Sequence, residues 1–95
     1  MSEEKLHSMG DEIAGRINAE VSTFEGFEVR ADAGEAGMVY VALRGAKREL
    51  EAGERLAKRL SDLVEGVIEK DEALDFGLGM GRGNKDLLLR IELRS

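Results

Sequence analysis

Met38-Val-Tyr-Val-Ala-Leu-Arg44 and Asp86-Leu-Leu-Leu-Arg-Ile-Glu-Leu-Arg94 are the two stretches that decide the fold. In the second, Leu87, Leu89, Ile91 and Leu93 alternate with Leu88, Arg90, Glu92 and Arg94, the period of a strand with one buried face. The first is apolar at nearly every position, which is usual for a central strand covered on both sides. The two also correspond: Val39, Val41, Leu43 and Arg44 line up with Leu89, Ile91, Leu93 and Arg94, fifty residues on.

Working outward, each stretch is preceded by a turn and another strand pattern. Residues 26–33 alternate Phe27, Val29, Ala31 and Ala33 with Gly26, Glu28, Arg30 and Asp32, and Gly34-Glu-Ala-Gly37 is the turn. Residues 73–81 alternate Leu74, Phe76, Leu78 and Met80 with Ala73, Asp75, Gly77, Gly79 and Gly81, so one face is nearly bare of side chains. Arg82-Gly-Asn-Lys85 is the second turn.

Each strand pair follows an amphipathic helix. Over 3–22, Leu6, Met9, Ile13, Ile17 and Val21 recur at three- and four-residue steps, with Gly10 and Ala14 on the same stripe. Ser2 is the expected N-cap, followed by Glu3 and Glu4 near the positive end of the dipole. Over 46–70, Leu56, Leu60, Leu63, Val64, Val67 and Ile68 form the stripe, and Gly53 and Ala57 are positions of close approach.

The chain therefore reads as one αββ unit written twice, residues 1–45 and 51–95, within a single domain 1–95. Leu6, Ile13, Ile17 and Phe24 align with Leu56, Leu63, Val67 and Leu74. The first strands align best with a one-residue shift, Phe27, Val29 and Ala31 against Phe76, Leu78 and Met80. Glu4/Glu54, Leu6/Leu56, Leu43/Leu93 and Arg44/Arg94 are the only identities at the fifty-residue offset, so the order of elements repeats rather than the sequence, and duplication and coincidence both stay open.

The expectation is an α+β fold: a four-stranded antiparallel sheet in the order 73–81, 86–94, 38–44, 26–33 with two helices on one face. In topology alone it resembles a ferredoxin-like chain whose first strand has moved to the end, that is, a circularly permuted ferredoxin-like arrangement. A swapped or KH-like sheet is the alternative.

Composition narrows the function classes. The chain has 95 residues, 42% apolar and 36% charged, with no apolar run of membrane-spanning length and no secretory h-region at its N-terminus. It has no cysteine, so neither disulfides nor thiolate chemistry enter, and the cytoplasm is the default compartment. Absent Pro and Trp with abundant Glu, Lys and Arg match a stability-selected or a designed composition, although Gly10, Gly15, Gly53 and Gly66 inside helices run against an idealised design. Net charge is −6, carried by residues 1–36; residues 44–60 form a basic segment and residues 61–75 an acidic one. That sign disfavours non-specific nucleic-acid binding.

Three surfaces are candidates. The first is an anion site at one end of the sheet, where Arg44, Lys47, Arg48, Arg82 and Lys85 gather beside the N-terminus of the second helix; the plainer reading is a salt-bridged solvated face. The second is the run Gly77-Leu-Gly-Met-Gly-Arg-Gly83. Its Gly-x-Gly spacing continues into a hairpin rather than opening a helix, so it is no dinucleotide fingerprint. It reads better as an edge strand able to pair with a copy of itself or a partner peptide. The third is the open sheet face, where Met38, Tyr40, Ala42 and Leu88 form an apolar centre rimmed by Arg90, Glu92, Glu28 and Arg30. Ferredoxin-like RNA binders stack bases on aromatics of this face, and here there is one tyrosine. Catalysis has little support: His7, the sole histidine, sits one turn from Asp11 and reads as a surface pair, and no cofactor or metal-ligand spacing is present. The reading that follows is a non-enzymatic interaction or assembly domain, self-associating through the open face or an edge strand (interface Met38, Tyr40, Leu88, Arg90, Gly77, Gly79). An RNA- or phosphate-binding module using the basic end is the alternative.

Overall fold

The computed structural model describes residues 3–95. Along the chain come helix α1 (Glu3–Glu20), strands β1 (Thr23–Phe24), β2 (Phe27–Ala33) and β3 (Met38–Leu43), helix α2 (Leu50–Ile68), and strands β4 (Asp75–Arg82) and β5 (Leu87–Arg94). A single 3₁₀ turn, Glu35–Gly37, links β2 to β3. The strands form one antiparallel sheet in the order β1-β2-β3-β5-β4. The class is α+β, and the four long strands stand in the expected order.

The sheet has five strands rather than the expected four. Glu25 and Gly26 both take positive φ, 50° and 87°, which makes the two-residue turn that suits the twist of a hairpin. Phe24 is thereby folded back onto Phe27 and Thr23 onto Glu28. The helix read over 3–22 therefore stops earlier, at Glu20, with Val21 still donating to the Ile17 carbonyl at 2.8 Å. Ser2, the expected N-cap, lies outside the described residues.

Helix α2 starts four residues later than its pattern suggested. Gly45, at φ 78°, reverses the chain after β3. Ala46 N–H donates to Leu43 O at 3.3 Å and Glu49 N–H to Ala46 O at 2.9 Å, so residues 44–49 are consecutive tight turns. The Ala46 methyl is fully buried and pins them to the core. At the far end Asp71 stops the helix: its Oδ1 accepts from Ala73 N–H at 3.1 Å, an Asx turn, and its Oδ2 lies 2.9 Å from Lys5 Nζ on α1.

The core lies between the helices and one sheet face. Ile13 and Ile17 of α1 and Leu56, Leu60 and Val64 of α2 are fully buried, as are Val39, Leu43, Leu87 and Ile91 of the central strands. Side chains of successive strand residues alternate between faces, so these positions belong to one face of β3 and β5, and both helices cover it. Each such Leu, Ile or Val contributes about 1.5–3 kcal/mol by leaving water. Partner for partner, Val29 faces Leu43 while Phe76 faces Leu93. The sheet thus equates Val29 with Phe76, two residues from the Val29–Leu78 match read from the sequence.

Two helical glycines mark close approaches. A β-carbon on Gly10 would stand 3.4 Å from the Gly37 α-carbon, and one on Gly53 would stand 2.6 Å from Leu87 Cδ1 and 2.7 Å from Met80 Sδ. A helical glycine costs about 1 kcal/mol against alanine. At Gly10 and Gly53 that cost is offset by contact between backbone and sheet, whereas Gly15 and Gly66 face open space.

Two predictions follow from this packing. Gly15→Ala should raise the unfolding free energy by about 0.5–1 kcal/mol, while Gly37→Ala, with φ 82° and neighbours at 3.1–3.3 Å, should lower it by about 1–3 kcal/mol; urea unfolding measures both, and equal effects would discard the distinction. The second concerns acid. Hydrogen bonds from Arg16, Arg55 and Lys5 hold the carboxyls of Glu20, Glu25 and Asp71 below their ordinary values. The stability they add is complete above the ordinary carboxylate range and is lost as pH falls through their lowered folded values. Asp71→Asn should therefore flatten the acid limb of the urea midpoint against pH, and an unchanged limb would remove the Lys5 pair from the account.

Candidate functional site

The face away from the helices is uncovered, and the sheet registers arrange it in rows. Arg30, Ala42, Leu88 and Gly81 lie side by side across β2, β3, β5 and β4. The next row is Asp32, Tyr40, Arg90 and Gly79, and beyond it Met38, Glu92 and Gly77 are neighbours. All six expected interface residues, Met38, Tyr40, Leu88, Arg90, Gly77 and Gly79, thus share one face. A shallow groove of about 670 Å³ runs over it, lined by Tyr40, Leu88, Arg90, Gly79 and Gly81 among others.

Tyr40 and Leu88 are the large apolar groups exposed here, at 50% and 43%, while Met38 and Ala42 are half-buried. The doubly apolar pattern of β3 predicted cover on both sides, and the structure leaves this side open because two helices suffice for only one face. Each exposed side chain leans toward a hairpin glycine. The Tyr40 ring crosses Gly34, where a β-carbon would meet Cε2 at 2.6 Å, and Leu88 reaches over Gly83, where one would meet Cδ1 at 3.1 Å.

The bare column of β4 is roofed by the arginines of β5. A β-carbon on Gly77 would collide with the Arg94 guanidinium, and one on Gly79 would lie 3.6 Å from Arg90 Nη2. Glycine at these positions gives long cations a place to lie flat across the sheet. Their backbone is therefore covered from this face and open along the strand's outer edge.

The basic end holds a carboxylate of its own. Asp86 accepts from Gly45 N–H through Oδ1 at 2.8 Å, and its Oδ2 stands 3.4 Å from Arg44 Nε. Arg44 also lies 3.9 Å from Glu28. The sequence reading did not single out Asp86; its place beside Arg44 follows from the β3–β5 register, which spacing alone does not reveal. Lys47, Arg82 and Lys85 do come together, since Lys47 N–H donates to Lys85 O at 3.0 Å and Arg82 Nε to Lys47 O at 3.2 Å. The helix N-terminus expected beside them lies further on, because α2 begins at Leu50 and Lys47 and Arg48 sit in the preceding turns.

The groups with displaced titration, Arg16, Glu20, Glu25, Arg55 and Asp71, lie off this face. His7 borders a hollow lined by Glu3, Glu4 and Glu35. Among the described residues no cluster of three or more His, Asp or Glu is placed to hold a metal ion. The face presents an apolar centre with acids and bases in adjacent rows.

If Asp86 is the resident counter-ion of this corner, Asp86→Ala should lower stability by about 1 kcal/mol in urea unfolding, and no loss would show the Gly45 and Arg44 contacts to be idle. No family model, curated protein or solved structure matches this chain.

Proposed function

We propose that this chain is a non-enzymatic assembly domain, built on a permuted ferredoxin-like arrangement, that binds a second copy of itself through the open sheet face. The observation that carries this reading is the exposure of Tyr40 and Leu88 on β3 and β5, two interior strands of the sheet. A side chain at the rim of a sheet is wetted cheaply, but here the exposed apolar groups sit in the middle, ringed by charge, which is the anatomy of an interface core and rim.

Charge favours a copy as the occupant. The chain carries −6, so most of its surface repels another copy. On this face Arg30, Arg44, Arg90 and Arg94 nearly balance Glu28, Asp32, Asp75, Asp86 and Glu92. Arg44 pairs with two of these acids, while Arg30, Asp32 and Arg90 form no ion pair within the chain among the described residues. Asp75, Glu92 and Arg94 form none either among the described residues, and these six are left to pair across a contact.

A phosphate- or RNA-binding role for Arg44, Lys47, Arg48, Arg82 and Lys85 is the second reading, supported by the backbone bonds that draw Lys47, Arg82 and Lys85 together. Asp86 among them works against it.

Light scattering over a range of protein concentrations should give a mass above one chain, and Tyr40→Glu or Leu88→Glu should halve it with circular dichroism unchanged. Both side chains are exposed, so neither change disturbs the core. A mass indifferent to both substitutions would remove this face as the contact, and a salt-sensitive shift of short RNA would favour the second reading.

A further inference from the structure

The two edges of the sheet are treated differently. Outside β2 lies β1, and beyond it Ser22 O accepts from Val29 N–H at 2.9 Å. The Asn18 side chain then takes both polar groups of Ala31, accepting from its N–H at 2.9 Å and donating to its carbonyl at 2.8 Å. A hairpin, a loop carbonyl and a helix amide thus close that edge, as soluble proteins close edges that would otherwise recruit a strand.

Strand β4, the opposite edge, has none of these. Among the described residues no backbone or side-chain group outside β5 bonds its backbone from Asp75 to Arg82. No residue of β4 is fully buried, although Phe76 and Leu78 pack against the core and Met80 is 38% exposed. It carries no lysine, no proline and no charge between its end residues, so the usual guards against pairing are missing.

We infer that β4 is a strand-addition edge whose occupant is β4 of a second copy, paired antiparallel about a two-fold axis at Leu78. Opposed residues of an antiparallel pair point to the same face, which restricts the register. With the axis at Leu78, Phe76 faces the second copy's Met80, Leu78 faces its own equivalent, and Gly77 faces Gly79. From Phe76 to Met80 the helix-side partners are then apolar and the open-face partners are glycine, while further out Asp75 faces Gly81. An axis at Gly79 would set Phe76 against Arg82 instead. The end charges choose the direction: antiparallel pairing brings the Asp75 end of one strand beside the Arg82 end of the other, and parallel pairing would set like charges together.

This contact is separate from the open face. Each surface alone joins two chains, and together they close a four-chain assembly in which two ten-stranded sheets stack, with D2 symmetry. The test therefore starts from Tyr40→Glu/Leu88→Glu, where the face is disabled. That protein should still give the mass of two chains at high concentration, and the outward amides of β4 should exchange more slowly as concentration rises while those of β2 stay constant. Adding Met80→Lys, which sets a charge opposite Phe76 at an exposed position, should weaken the association at least about tenfold. One-chain mass at every concentration, or a dimer whose β4 amides and Met80→Lys affinity are unchanged, overturns the edge contact. If instead native protein is a dimer that Met80→Lys spares and Tyr40→Glu breaks, the face stands and the edge falls.

Discussion

The antiparallel seam between β3 and β5 is what the rest of the molecule depends on. Val39 faces Ile91, Val41 faces Leu89 and Leu43 faces Leu87, and all six side chains point into the core. Among the described residues the seam is the one strand pairing that joins the β1-β2-β3 portion of the sheet to the β5-β4 portion. Its register sets which residues share the other face as well: Tyr40 stands beside Arg90 and Ala42 beside Leu88 because Val41 stands beside Leu89. A slip of one residue would send leucines to water and arginines to the core, so core and candidate interface are fixed by the same six side chains.

Glycine serves three unlike purposes around that seam. Gly10 and Gly53 bring the helices down onto the sheet, Gly26, Gly37 and Gly45 turn the chain at positive φ, and Gly77 and Gly79 leave room for arginine side chains from β5. The last use bears on function. A β4 with ordinary side chains would push Arg90 and Arg94 outward, and the open face would be rougher and more strongly cationic. With glycine there, the cations lie down and the face stays shallow beside Tyr40 and Leu88.

Much of this was legible in the sequence. Strands β2, β4 and β5 announced themselves by period-two alternation and β3 by a short run apolar on both faces, and the order of β2, β3, β5 and β4 came from the topology expected of an αββαββ chain, which puts the two apolar strands in the middle. Hairpin β1–β2 was missed because its strand is two residues long and its turn is Glu25-Gly26 rather than the stronger Asn-Gly or Asp-Gly; Phe24 and Phe27 on either side of a glycine were the signal. The start of α2 was misplaced because Ala46, Lys47, Arg48 and Glu49 are unobjectionable in a helix, and only the reversal at Gly45 and burial of Ala46 make them turns. Asp86 and Asn18 were invisible for a common reason: each bonds backbone far along the chain, Gly45 and Ala31, and no local pattern records such a partner.

The Asn18 clamp also has a place in time. The β3–β5 seam joins residues about fifty apart and cannot close until the chain between them, α2 included, has been gathered. The hairpins on either side close over short loops and need not wait. During that interval β2 is a strand without a finished sheet, the condition in which a chain is most exposed to capture by another. Asn18 reaches Ala31 across a separation of 13 residues. Its clamp needs only residues 18–31, so it is among the contacts the chain can make before the seam exists.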